Sequence, residues 1–180
     1  MKLMEQEVSK ELIFKGKILN LEKYNVRLPN GNISTREVVD NPGAVAVLPI
    51  DEEGYIYFVK QYRFPIREVL IEIPAGKFDS PNEDPLECGK RELEEETGLM
   101  AKEWIYLGYI YTTPGFSNEK IHLYAAKELH NVGSKPDDDE FVEVVKIYSD
   151  DVEQMIKTGG ITDSKSICAF YRYKLYTQSS

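Results

Sequence analysis

From 44 to 50 the chain is apolar at every position, the pattern of a central strand covered on both faces. Other stretches have the Val, Ile, Tyr and Thr content of strands, bounded by turn residues. They lie at 12–19, 24–28, 34–39, 55–63, 69–73, 104–111, 120–126 and 141–148. Asn30-Gly31 reads as a hairpin turn, and Asn41-Pro42-Gly43 separates the early strands from the apolar run. Glu53-Gly54 turns the chain again, and Pro74-Ala75-Gly76 closes the strand at 69–73. Helices are predicted over 149–158 and 163–176. There is no internal repeat and no low-complexity tract. The pattern divides the chain into a small N-terminal β appendage, 1–42, and a main domain, 43–180. The main domain is α/β, a mixed sheet flanked by helices.

One further helix carries its own start and stop. Asp84 before Pro85 reads as an N-cap with proline in the first turn, Glu87 as a capping-box partner, and Gly98 as the C-terminal stop. The helix is predicted over about 85–97. Each residue of a helix advances about 100°, so Glu95 and Glu96 fall roughly 60° and 40° either side of Glu92. Gly89 lets this helix approach a sheet closely. Like charges at these spacings cost about 0.2–0.5 kcal/mol per pair on an open helix, so the arrangement opposes its own stability. A hard divalent cation reverses that sign, and the three glutamates read as a magnesium site with manganese a possible substitute. Glu92 and Glu96, one turn apart, can share one metal or bridge two. Arg91 can pair with Glu87 or Glu95 and reads as a residue that orients its neighbours.

Composition narrows the partners. The 180 residues carry 22 basic and 31 acidic side chains, a net charge of −9, which argues against a phosphate backbone as partner. No apolar run is long enough to span a bilayer, and no leader precedes the first strands, so the expected location is cytoplasmic. Cys88 and Cys168 stand far apart without metal-site spacing and are expected to be reduced thiols.

The segment from Gly76 to Leu99 resembles the Nudix box, G-x5-E-x7-R-E-U-x-E-E-x-G-U, where U is a bulky apolar residue. Gly76, Glu83, Arg91, Glu92, Leu93, Glu95, Glu96, Gly98 and Leu99 match it. One extra residue lies between Gly76 and Glu83, placed within Ser80-Pro81-Asn82, and the spacing after Glu83 is intact. Beyond the box, Gln61-Tyr62-Arg63, Glu72-Ile73-Pro74-Ala75-Gly76 and Pro114-Gly115-Phe116 are similar to the ADP-ribose pyrophosphatase branch of that family. So is the acidic run Asp137-Asp138-Asp139-Glu140 with the strand after it.

The resemblance implies a Nudix-type α/β/α sandwich and a homodimer that exchanges the appendage between subunits. It implies the Ala75 carbonyl as a metal ligand beside Glu92, Glu95 and Glu96. Glu140 is expected at the catalytic centre, ordering the attacking water or accepting its proton. Arg63 is expected to hold a phosphate or the terminal ribose, with Glu72 and Gly115 near the substrate and Arg36 and Glu37 reaching it across the dimer. Phe14 and Tyr24 are possible adenine platforms, although 12 Tyr and 7 Phe make core packing the commoner role for an aromatic residue. His122 and His130 have no metal-ligand company and read as structural. The implied activity is magnesium-dependent hydrolysis of ADP-ribose to AMP and ribose 5-phosphate. The anionic substrate is compatible with an acidic protein only if cations bridge the carboxylates to the diphosphate. The alternatives are a broader nucleoside-diphosphate-sugar pyrophosphatase and a non-catalytic ADP-ribose-binding sensor, the latter expected to carry a degraded box.

Overall fold

The computed structural model describes residues 3–80, 82–133 and 141–178. They fall into two compact units, Met1–Gly43 with Tyr111–Lys120, and Ala44–Ile110 with Ile121–Ser180.

The first unit is an antiparallel sheet of β1 (Gln6–Lys15), β2 (Asn20–Arg27) and β3 (Ile33–Asp40). Gly31 donates its N–H to the Leu28 carbonyl at 2.9 Å, closing the hairpin at Asn30-Gly31. The strand expected at 12–19 is displaced: β1 begins at Gln6, and Gly16 N–H bonded to the Leu19 carbonyl at 2.9 Å makes residues 16–19 the turn. Every residue of β1 is exposed, and its pairing shifts register twice, so no buried face imposes the alternation by which a strand is read. Residues 111–120 contribute a turn to this unit, with Val39 N–H donating to the Phe116 carbonyl at 2.7 Å.

The second unit is centred on β4 (Ala44–Pro49), buried throughout. It pairs antiparallel with β7 (Ala75–Lys77) and parallel with β9 (Lys120–Asn131), and the sheet runs β7-β4-β9-β8, with β8 spanning Leu99–Tyr111. A second sheet, β10-β5-β6, is antiparallel, built from Val142–Tyr148, Tyr55–Arg63 and Glu68–Glu72. Side chains on β4 alternate between two cores. Ala44, Ala46 and Leu48 pack with Ile56, Phe58, Ile73, Leu123 and residues of α2 (Ser149–Thr158) and α3 (Ser164–Gln178). Val47 packs on the other side with Leu93 of α1 (Pro85–Thr97). A Cβ on Gly89 would meet Val45 and Val47 at 3.3 and 3.4 Å, so glycine there lets α1 lie against β4. The result is the expected α/β/α sandwich. Among the described residues, no helix is long and apolar enough to cross a membrane.

Candidate active site

Helix α1 begins where its local chemistry dictates. Asp84 Oδ1 accepts the N–H groups of Leu86 and Glu87 at 2.9 and 3.2 Å, Pro85 occupies the first turn, and Gly98 ends the helix at φ 69°. The Glu87 carboxylate pairs with Lys90 at 2.7 Å, so the expected capping-box return to residue 84 is replaced by a pair along the helix. These bounds set the helical phase that turns Glu92 and Glu96 onto the Pro74-Ala75-Gly76 turn. Both are buried, at 7% and 3% exposure, where a carboxylate needs specific partners. Glu96 Oε2 accepts the Ala75 N–H at 3.0 Å. The Glu92 carboxylate lies so close over Gly76 that a Cβ there would fall 1.9 Å from its carboxyl carbon. Only glycine leaves that space.

Arg91 gathers the remaining acids. Its Nη1 donates to Glu92 Oε1 at 2.7 Å and to Glu95 Oε2 at 3.0 Å, and its Nη2 to Glu83 Oε1 at 3.4 Å and the Lys77 carbonyl at 3.1 Å. Nε stands 3.5 Å from Asp79 Oδ2. Of the two partners open from the sequence, Arg91 takes Glu95. Burial opposes its charge, but the surrounding groups, Glu92 foremost with Asp79 and others, together outweigh that and raise its pKa. The extra residue in the loop does not remove Glu83, whose Oε2 accepts the Asp79 N–H at 2.6 Å while its other oxygen faces Arg91. Behind the loop, burial pushes the Cys88 thiol up to about 12, which keeps it neutral. Both cysteines are free. Among the described residues, no three His, Cys, Asp or Glu side chains form a ready-made cation cage, because Glu95 is held by Arg91 and Glu96 by a backbone N–H.

A NUDIX domain profile matches residues 40–170. The chain belongs to the NUDIX domain family. It is 42% identical over 96% of its length to a Bacillus subtilis protein named ADP-ribose pyrophosphatase, covering 94% of that relative. It is also 44% identical over 93% of its length to the methanol dehydrogenase activator of Bacillus methanolicus, covering 92% of it. A solved structure titled as an ADP compounds hydrolase superposes with a TM-score of 0.87 at 17% identity, covering 99% of this chain and 97% of that one, a likeness of fold.

In this Nudix protein a second ion cluster lies at the other end of the same turn. Arg63, expected near substrate, forms a fork on Glu72, Nε to Oε1 and Nη2 to Oε2, both at 2.7 Å. Glu72 also receives Lys165 from α3, which pairs in turn with Asp163 at 3.1 Å. Burial works against the charge on Glu72, but the Arg63 hydrogen bonds and the Lys165 charge prevail and hold its carboxyl below the ordinary value. The sequence reading did not single out Lys165, Asp163 or Ser166. One signal was available: a lysine in the first turn of a helix opposes the helix dipole, so its presence points to an acidic partner from elsewhere.

Arg36 is in the N-terminal unit, paired with Glu5 and donating to the Thr35 carbonyl at 2.8 Å. Glu37 pairs in register with Lys23, and Gly115 sits in a turn with open space where a Cβ would be. Phe14 is exposed, whereas the Tyr24 hydroxyl donates to Glu22 at 2.5 Å. His122 sits on β9 within hydrogen-bond reach of the Tyr106 hydroxyl, Nδ1 to O 3.0 Å. Glu140 lies outside the described residues.

Proposed function

We propose that this Nudix protein is a pyrophosphatase that hydrolyses ADP-ribose to AMP and ribose 5-phosphate with a divalent cation, magnesium in use and manganese a workable substitute. The observation that carries the reading is the pair of buried carboxylates, Glu92 and Glu96, held against the Ala75-Gly76 turn with Glu95 beside them. The likeness to a protein named ADP-ribose pyrophosphatase over nearly the whole chain supports the substrate.

The residues present fit a hard cation. All the donors are oxygens, from Glu92, Glu95, Glu96 and the Ala75 carbonyl, and the missing Cβ at Gly76 leaves the Glu92 carboxylate against the backbone. A divalent cation held there supplies Lewis acidity toward the diphosphate and makes a water easier to deprotonate. The chain's own residues do the rest. Arg91 orients Glu92 and Glu95 through one nitrogen, so either carboxylate can swing to a cation without losing the register of α1. Arg63 presents its guanidinium to a phosphate. Glu140 orders the attacking water and takes its proton. The N-terminal strands, 1–42, serve dimerisation and bring Arg36 and Glu37 to the substrate of a cytoplasmic homodimer. Gly115 leaves room for the sugar.

The test is a panel of ADP-ribose, other nucleotide sugars, NADH and diadenosine polyphosphates, with magnesium and again with chelator. ADP-ribose should exceed the others in kcat/KM by about tenfold or more, a preference of about 1.4 kcal/mol in transition-state binding, and chelator should abolish turnover. Equal rates across the panel would overturn the substrate assignment. Binding without turnover of any member would favour the sensor.

A further inference from the structure

Each residue from Glu72 to Gly76 is held by a different neighbour. Ile73 N–H donates to Ser166 Oγ at 2.8 Å, Val47 N–H to the Pro74 carbonyl at 2.9 Å, and Ala75 N–H to Glu96. Gly76 lies under the Glu92 carboxylate, and the Glu72 side chain is shared between Arg63 and Lys165. Two of these five attachments come from the first turn of α3, 93 residues along the chain. Asp163 organises that turn. Its Oδ2 accepts the Ser166 N–H at 3.0 Å and the Ser166 hydroxyl at 2.6 Å, and its Oδ1 pairs with Lys165.

Exposure is concentrated at one end of the ion chain. The Arg63 side chain is 40% exposed, Lys165 9% and Glu72 2%. Lys165 is therefore too enclosed to meet a ligand, and Arg63 is the member that can. Both Arg63 Nη2 and Lys165 Nζ reach the same oxygen, Oε2, of Glu72. That sharing fixes the rotation of the carboxylate, and the carboxylate fixes the plane of the guanidinium bonded to both its oxygens. Among the described residues, Arg63 donates only through Nε and Nη2, which leaves its Nη1 edge for an anion.

We propose that Lys165 is a positioning residue that aims Arg63 at a substrate phosphate by fixing the Glu72 carboxylate, with Asp163 holding Lys165 in place. The inference rests on the reading of the protein as an ADP-ribose pyrophosphatase. A lysine that only neutralised a buried acid would affect stability and leave substrate recognition alone. A positioning lysine acts on recognition, and only while Arg63 is present to be aimed.

The experiment is a double-mutant cycle of Lys165→Met and Arg63→Lys, with KM and kcat for ADP-ribose measured separately and melting recorded for each variant. Lys165→Met should raise KM about tenfold with kcat within about twofold, and Lys165→Arg should return KM to within about threefold of wild type. In the Arg63→Lys background, Lys165→Met should add less than about twofold, since coupled sites are not additive. A folded Lys165→Met with unchanged KM overturns the proposal, as does a fall in kcat at constant KM or full additivity in the cycle. If Lys165→Met does not fold, Glu72→Asp takes its place, because it keeps every charge and draws the carboxylate back by one methylene. Raised KM with kcat kept is then expected, and unchanged KM overturns the proposal. Wild-type turnover is read first. Its absence defeats the substrate assignment and this inference with it, whereas wild-type turnover with an unmoved variant KM defeats this inference alone.

Discussion

The two ion clusters that grip residues 72–76 are built on different charge plans. On the α1 side, Asp79, Glu83, Glu92 and Glu95 converge on one guanidinium, that of Arg91. On the α3 side, Glu72 and Asp163 meet Arg63 and Lys165, two acids against two bases. A balanced, enclosed network holds its geometry without help, because each charge leaving water finds an opposite one. The α1 cluster sets four carboxylates against one guanidinium, and the proposed cation would relieve their mutual repulsion. The α3 cluster is closed on itself, whereas the α1 cluster carries the surplus negative charge to which the proposed cation would bind.

The largest loss of stability is expected in the balanced cluster. Glu72→Gln removes the buried carboxylate on which Arg63 and the enclosed Lys165 meet, leaving Lys165 with Asp163 alone, and should cost about 3–5 kcal/mol of stability at neutral pH, read as a lower melting temperature. The sign with pH follows from the depressed pKa. The stability that Glu72 contributes is fully present above its unfolded value of about 4.3 and is lost as pH falls through the lower folded value. The melting difference between wild type and Glu72→Gln should therefore shrink below about pH 4 and stay constant above pH 5.

On the surplus side, the largest effect should be catalytic. Glu96→Gln keeps an oxygen for the Ala75 N–H but removes the charge that a hard cation needs, so turnover should fall at least about a hundredfold with melting little changed. Near-normal turnover at saturating magnesium would remove Glu96 from the metal ligands. A smaller loss is expected at the turn. Gly76→Ala places a methyl where the Glu92 carboxylate lies; that side chain is displaced while the backbone holds, and turnover should drop about tenfold. Unchanged kinetics would show that Glu92 works equally well from another rotamer. The smallest effect is expected at Asp84, whose side chain caps α1 and bonds to no member of either cluster, and Asp84→Ala removes that cap. It should cost about 1 kcal/mol, a melting shift of about 2–4 °C, with kcat within about twofold.

Much of this was legible along the chain. Helix α1 runs Pro85–Thr97 as its caps predicted, because a helix is made of contacts three and four residues apart and its ends are satisfied by adjacent side chains. The apolar run at 44–50 reads as a buried strand for an equally direct reason, both faces being covered. Where burial is absent the pattern fails, as in β1, whose exposed residues carry no period and whose bounds were misplaced by several positions. Strand β7 was missed altogether: Ala-Gly-Lys has no strand character of its own and becomes one only by pairing with Ala44–Ala46 of β4.

The sequence by itself therefore determined the carboxylates, their helix and their phase, all of which depend on short-range geometry. Tertiary structure alone decided that Arg91 sits between Glu92 and Glu95, that the Glu92 carboxylate lies over Gly76, and that Lys165 meets Glu72. The last pairing joins residues 93 apart, and neither helical periodicity nor capping reaches that far. Contacts of that separation exist only because the sandwich brings β6 and α3 together, and the burial of Glu72 between them makes an opposite charge necessary.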